Sequence, residues 1–276
     1  MLDEDLLSIN QVTTRDQWSL KQALETYSRQ GTHGIAVWRD KMMEFGSPKN
    51  THQLLEENGM SVSGFCIGGL LASFDEATFQ KELDKNRRII EEAAIIESQA
   101  LIFIAGGLPK GSKDIASART RVLEGLSILL PEAKKIGVTI AIEPLHPMLA
   151  ANRSVLTTMK EANDWCDQLG AGPELGIAVD VYHVWWDPML ESEIKRAGSR
   201  IAAFHVNDWL DDTKDLRLDR GMMGDGVIDI PKIRKWVESA GFNGYREVEI
   251  LSQNNWWKKP PEEVVKVVKE RYQKFV

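Results

Sequence analysis

The chain is poor in cysteine, histidine and basic charge, and it has no long uninterrupted apolar run. Its 276 residues include two cysteines and five histidines. Cys66 and Cys166 are too far apart to form a zinc-knuckle spacing, and two thiols make no disulfide framework, which points to a reducing compartment. Basic residues number 34 against 41 acidic, a net charge of −7. That balance argues against a broad nucleic-acid footprint and suits a cytoplasmic protein. The longest apolar stretch, 93–108, is broken by Glu97, Ser98 and Gln99, so no segment is expected to span a membrane. The first residues are acidic (Asp3, Glu4, Asp5), where a secretory signal would be basic. There is no G-x-G-x-x-G and no P-loop, so a nucleotide-binding sheet has no fingerprint here.

What is present is a regular alternation. Strands are expected at Leu6–Val12, Gly34–Trp38, Ser61–Gly68, Leu101–Gly106, Val138–Leu145, Gly176–His183, Ile201–Asp208 and Tyr245–Leu251. Between them, Asp75–Glu97, Leu123–Ile136, Val155–Leu169, Ile230–Ala240 and Glu262–Phe275 carry apolar residues at helical spacing. Pro131 is expected to kink or interrupt its helix, and Gly59, Gly137, Gly170 and Gly241 to stop helices. Strict β-α alternation implies a parallel sheet covered on its outside. Eight such units, with no linker or low-complexity tract, predict a single-domain α/β protein, a (β/α)8 TIM barrel over residues 1–276.

Strand parity agrees with closure. In 138–143, Thr139, Ala141 and Glu143 oppose the β-branched set; in 176–180, Gly176, Ala178 and Asp180 oppose Ile177 and Val179. In 201–205, Ile201, Ala203 and His205 share a face. Helices would cover the branched face and small residues would line the narrow lumen. Each inward row then ends in a side chain able to hold a metal: Glu143, Asp180, His205, and Glu247 or Glu249. Barrel enzymes place their chemistry at these C-terminal strand ends. Three clustered carboxylates repel one another without a cation, and with the imidazole they make an oxygen-rich site for Mn²⁺, Mg²⁺, Co²⁺ or Zn²⁺. Any one of these acids alone would read as a helix cap or an arginine partner; four on successive strand ends favour one divalent metal ion, manganese first.

The segments Ile142-Glu143-Pro144-Leu145-His146, Val179-Asp180-Val181-Tyr182-His183, Phe204-His205-Val206-Asn207-Asp208 and Val248-Glu249-Ile250 resemble the xylose isomerase-like TIM-barrel superfamily. That group includes sugar (phosphate) isomerases and epimerases, ketose 3-epimerases, inosose dehydratase and endonuclease IV. The resemblance follows strand order through most of the chain and is most specific between 138 and 251. It implies Glu143, Asp180, His205 and Glu249 as ligands of one metal. Glu249 is preferred because it lies nearer the strand end; Glu247 is expected deeper, in a structural pair with a barrel cation. Asp180-x-x-His183 is similar to the family's Asp-x-x-His, which implies that His183 contacts a substrate oxygen; otherwise it is a hydrogen-bonding residue of the site wall. The run 219–226 resembles the family's Arg-x-x-x-Gly-x-Gly loop, which implies that Arg220 orients substrate or a catalytic carboxylate; a surface ion pair with Asp219 or Asp225 is the alternative.

Departures narrow the reading. Endonuclease IV holds three zinc ions with several histidines, one of which follows the Asp-Arg of this loop; Gly221 stands there here. Ketose 3-epimerases carry a second acid after strand five where this chain has Leu149. His146 is an extra acid/base candidate, or a loop residue bonding its own backbone. Trp38, Trp185, Trp186, Trp209, Trp256 and Trp257 all follow strands, so an aromatic rim is expected, with Trp38 and Trp257 offered to a sugar's C–H face.

The expected activity is metal-dependent isomerisation or epimerisation of a sugar or keto-sugar. Glu143 and Glu249, with His146, would move a proton next to a carbonyl through an enediolate. The same site could eliminate water or an aglycone from a keto-sugar or 3-oxo-glycoside, and a catalytically silent sugar-binding barrel is the non-enzyme alternative. No phosphate loop is visible, which favours a non-phosphorylated sugar. The expected partner is a small sugar, with no nucleic acid and no membrane. Homo-oligomers are compatible with the aromatics.

Overall fold

Eight short parallel strands pair in chain order and the last closes on the first. The computed structural model describes residues 2–170 and 172–276. The strands are β1 (Leu7–Asn10), β2 (Gly34–Trp38), β3 (Ser61–Gly69), β4 (Leu101–Ile104), β5 (Ile140–Ile142), β6 (Leu175–Asp180), β7 (Ile201–Val206) and β8 (Arg246–Val248). Helices cover the outside: α1 (Leu20–Arg29), α2 (Arg39–Phe45), α3 (Pro48–Glu57), α4 (Glu76–Ile95), α5 (Ile115–Ile136), α6 (Met159–Leu169), α7 (Val181–Val184), α8 (Leu190–Ala197), α9 (Ile230–Ser239) and α10 (Pro261–Phe275). This is the expected single-domain (β/α)8 barrel. Among the described residues no helix is long and apolar enough to cross a membrane.

Local chemistry sets the helix limits. The side chains of Asp75, Asp114 and Thr158 each accept a backbone N–H two or three residues into α4, α5 and α6, which supplies acceptors for N–H groups that the first helical turn leaves free. Gly137 and Gly170 end α5 and α6 in the left-handed conformation that costs glycine little. Helix α5 begins eight residues earlier than its apolar pattern predicts and runs through Pro131 without interruption. Pro131 and Ser127, whose carbonyl it leaves without a helical donor, both face solvent, so water satisfies that carbonyl.

The two faces of each strand bury different cores. The branched side chains Ile140, Ile142, Ile177 and Val179 pack with the helices in the large outer cluster. Ala141, Ala178 and Ala203 meet Cys66, Ile102 and Ile104 in a small second cluster, the barrel lumen. Expected parity fails at Ile201, which lies in the outer core. The pairing of β6 with β7 shifts register there, from Ile177↔Ile201 to Ala178↔Ala203. An extra residue in a strand turns the side chains before it to the other face.

Candidate metal centre

The four expected ligands come together. One oxygen or nitrogen from each of Glu143, Asp180, His205 and Glu249 lies within 4.8 Å of the others, and all four residues are buried. Asp180 ends β6 and His205 is the penultimate residue of β7. Glu143 and Glu249 each stand one residue past their strands, held by backbone bonds to Phe103 (3.1 Å) and Val206 (3.2 Å). Register explains the convergence, because Asp180 pairs with His205 and His205 with Glu247 across adjacent strands. Val181-Tyr182-His183 is not strand as expected but the short helix α7. The Asp180 side chain accepts the Tyr182 N–H at 2.9 Å and starts it.

Nδ1 of His205 faces Glu249 at 3.6 Å and Glu143 at 3.8 Å, while its Nε2 faces Glu247 at 3.5 Å. Both ring nitrogens are buried without a hydrogen-bond partner among the described residues. A cation among the carboxylates would occupy Nδ1 and leave the Nε2 proton to Glu247, the usual support for a ligating histidine. The three carboxylates, one imidazole and this orphaned nitrogen fit a hard divalent ion.

Glu247 lies outside the four-residue group and faces His205 Nε2 at 3.5 Å, while Asn10 Nδ2 and Ser63 Oγ both donate to it at 2.7 Å. A β-carbon on Gly64 would come within 3.2 Å of its carboxylate, so glycine makes its room. Asn10 also donates to Glu249 at 3.3 Å and accepts the indole N–H of Trp38 at 2.7 Å.

Arg220 is buried inside the site, not paired on the surface with Asp219 or Asp225. Its Nη1 donates to Asp180 Oδ2 at 2.7 Å and Glu249 Oε2 at 3.0 Å, and its Nη2 lies 3.1 Å from His183 Nε2. Asp208 positions the loop that carries it. That buried carboxylate accepts the N–H groups of Trp209, Gly224, Gly226 and Ile228 at 2.9–3.0 Å. Gly226 runs so close that a β-carbon would sit 2.0 Å from the Trp209 carbonyl oxygen, which accounts for the second glycine of the loop motif.

Electrostatics separates the acids. Burial lifts Glu143 to about 8, with Glu249 and Asp180 adding to the rise against His205 and Arg220. Asp180 is buried too, yet Arg220, the two histidines and Asn207 hold it below the usual carboxylate range. His205 resists burial and rises well above its ordinary value because Glu247, Glu249 and Glu143 surround it. His183 falls to about 3, chiefly from burial. Its Nδ1 accepts the His146 N–H at 3.1 Å, which leaves the single proton of the neutral ring on Nε2, 3.1 Å from Arg220 Nη2.

Glu143, His183, Arg220 and Glu249 line a small cavity of about 50 Å³, together with Trp38, Ile67, Ile104, Leu149, Arg153 and Arg217. Two expectations fail here. His146 does not line the cavity; its ring stacks 4.8 Å from Trp209 and its Nδ1 accepts the Met148 N–H at 3.3 Å, so it closes its own turn. Trp257 points away as well, donating its indole N–H to the carbonyls of Val12 (2.8 Å) and Ile250 (3.1 Å), which ties the ends of β1 and β8. Trp186 and Trp209 pack on His146 instead of facing a ligand. Asn10, Asn207, Arg153 and Arg217 went unread. The two asparagines carry the same strand-end signal as the ligands, whereas the arginines sit on loops without periodicity.

The family model described as xylose isomerase-like TIM barrel matches residues 24–271. No curated protein matches the chain. A solved structure of protein SMc04130 from Sinorhizobium meliloti 1021 is 46% identical, covers 98% of both chains and has a TM-score of 0.95. The IolI protein with a bound zinc atom is 20% identical, with 96% of each chain covered and a TM-score of 0.84. D-Psicose 3-epimerase in the presence of D-fructose is 15% identical, again with 96% of each covered, and a TM-score of 0.79. The family match spans almost the whole barrel, and the chain therefore belongs to the xylose isomerase-like TIM-barrel family.

Proposed function

We propose that this protein is a divalent-metal-dependent isomerase or epimerase of a sugar or keto-sugar. The observation that carries the reading is the meeting of Glu143, Asp180, His205 and Glu249 within 4.8 Å, with Glu143 and Glu249 in the lining of a cavity. The zinc of the IolI structure and the fructose of the epimerase structure support it by analogy. Manganese is the first candidate for a donor set so rich in carboxylates, with magnesium, cobalt and zinc behind it. When bound, the ion would supply Lewis-acid polarisation of a carbonyl and a template for the neighbouring hydroxyl.

The residues of the chain divide the remaining work. Glu143 and Glu249 come from strands three apart, so they stand toward different faces of a substrate between them. One takes the proton from the carbon beside the carbonyl and the other returns one. Burial suits Glu143 to this exchange, since its carboxyl can hold a proton near neutral pH. Asp180, kept ionised by Arg220, moves no proton and serves as a ligand. Neutral His183, held by the His146 N–H, contacts a substrate oxygen, and Arg220 holds Glu249 in place beside it. Trp38, fixed by Asn10, offers its face to the sugar's C–H groups.

Metal content of the purified protein tests this, with Glu143→Gln and His205→Ala beside it. About one divalent ion per chain is expected, and loss in both variants. Loaded enzyme is then screened against ketoses by NMR and mass. A product of unchanged mass assigns an isomerase or epimerase; loss of water or of an aglycone assigns a lyase using the same residues. No uptake even from added Mn²⁺ overturns the reading in favour of a binding barrel.

A further inference from the structure

We propose that the substrate carries an anionic group, a carboxylate or a phosphate, at the end remote from its reacting carbonyl, and that Arg153 and Arg217 bind it. The proposal rests on the metal-dependent reading above and names the class of substrate for that site. Both arginines line the cavity that contains Glu143, His183 and Glu249. Arg153 is half-buried in the loop after β5, and Arg217 is exposed in the loop after β7. Most arginines elsewhere in the chain, such as Arg119, Arg220, Arg246 and Arg271, are ion-paired. Neither Arg153 nor Arg217 forms an ion pair among the described residues, although the protein is acidic overall.

The charge balance of the cavity makes this unusual. A divalent ion and Arg220 together offset Glu143, Asp180 and Glu249, while the fourth buried carboxylate, Glu247, faces the far nitrogen of His205 and is not in the cavity lining. Arg153 and Arg217 add two unpaired positive charges to the same lining, whose apolar part includes Ile67, Ile104, Leu145, Leu149, Leu216 and Leu251. Placing two guanidinium groups beside apolar side chains, close enough to oppose each other's charge, is unfavourable unless an anion joins them. Burial lowers Arg153 and the nearby Arg217 lowers it further, outweighing the opposite pull of Glu143. Both sit on pinned turns. Arg153 N–H donates to Leu149 at 2.9 Å, and Asp215 accepts from Arg217 N–H at 2.8 Å and Leu218 N–H at 2.9 Å. Two forks held on separate loops over a cavity match a terminal carboxylate or phosphate, which accepts several charge-assisted hydrogen bonds at once. A neutral sugar would leave both forks unused.

Matched ketoses test it. L-Sorbose and 5-keto-D-gluconate differ only in a terminal carboxylate; D-ribulose and D-ribulose 5-phosphate differ only in the phosphate. Binding of all four to the Mn²⁺-loaded protein is measured by calorimetry for the wild type and for the Arg153→Gln/Arg217→Gln double variant. The anionic member of one pair is expected to bind about tenfold to a hundredfold more tightly than its neutral mate. Raising salt should erode that preference and the double variant should abolish it, with metal uptake and thermal midpoint unchanged. The pair that responds identifies carboxylate or phosphate. Equal binding within both pairs, or a preference that survives in the double variant, overturns the proposal and leaves the metal reading standing. If instead no metal is taken up, the earlier reading falls and this one is still decided: inorganic phosphate must quench tryptophan fluorescence of the wild type and not of the double variant.

Discussion

Asp208 lies outside the proposed ligand set, yet it holds the loop on which Arg220 depends. Changing it to asparagine keeps size and shape and removes one acceptor oxygen. In the native carboxylate, Oδ1 accepts from Trp209 and Ile228, and Oδ2 accepts from Gly224 and Gly226, all at 2.9–3.0 Å. An amide oxygen can keep one of these pairs. Its NH2 then points at the other two N–H groups, donor against donor. Each stranded N–H costs about 1–3 kcal/mol, toward the lower end for part-buried bonds such as those of Gly224 and Gly226, so Asp208→Asn should destabilise the protein by roughly 2–4 kcal/mol. For a chain of this size that corresponds to a fall in Tm of roughly 5–15 °C. Thermal unfolding gives the stability, and hydrogen exchange at Gly224, Gly226 and Ile228 reports the loop. The backbone bridge between Asp208 and Gly221 survives the change, so the loop should loosen locally before the barrel opens. A Tm drop under about 2 °C with unchanged protection at those amides would refute the account of Asp208 as the organiser of this loop.

Glu247→Gln should lower divalent-metal affinity by about tenfold to a hundredfold, read by competition with a fluorescent chelator, because His205 loses the anion that would take its Nε2 proton. An unchanged affinity would make Glu247 a purely structural residue. Metal binding should also strengthen as pH rises toward about 8, since the metal-free site holds protons on Glu143, raised to about 8, and on His205, raised above its ordinary value. Calorimetry in two buffers of different ionisation enthalpy should show proton release at pH 7; none would contradict it. The raised Glu143 has the corresponding effect on folding, so stability of the metal-free protein that is present at pH 4 should decline as pH climbs toward 8. At the other end of the barrel, Glu238 joins α9 to β8 by accepting from Arg234 at 2.6 Å and Arg246 at 2.5 Å. Burial alone would raise its pKa, but the two arginines outweigh that and lower it. Its contribution is therefore present at neutral pH and lost below the ordinary carboxylate range. Glu238→Gln should cost at most about 1 kcal/mol at pH 7 in denaturant unfolding and nothing near pH 3.

Much of the barrel was legible in the chain because its determinants are local. Period-two alternation in 138–143 and 176–180 tells which side chains turn inward, and a strand that ends inward delivers its last polar residue to the rim. Glu143, Asp180 and His205 follow from that logic, which leaves Glu247 and Glu249 open; the family resemblance favours Glu249, and those four meet in the structure. The misreadings occur where side chains act on distant backbone. Asp180 caps α7 and turns an expected strand end into a helix. A register shift rotates Ile201 outward. Trp209 takes the ring of His146, and the carbonyls of Val12 and Ile250 take the indole of Trp257, so neither reaches the cavity. Local pattern determined which residues end each strand. Only closure of the barrel decided that Arg220, 40 positions after Asp180, lies against it, that Glu247 backs His205, and that Arg153 and Arg217 face one cavity from separate loops. Those contacts cross between strands and loops, and their distances are set by register and loop path, which carry no periodic signature in the sequence.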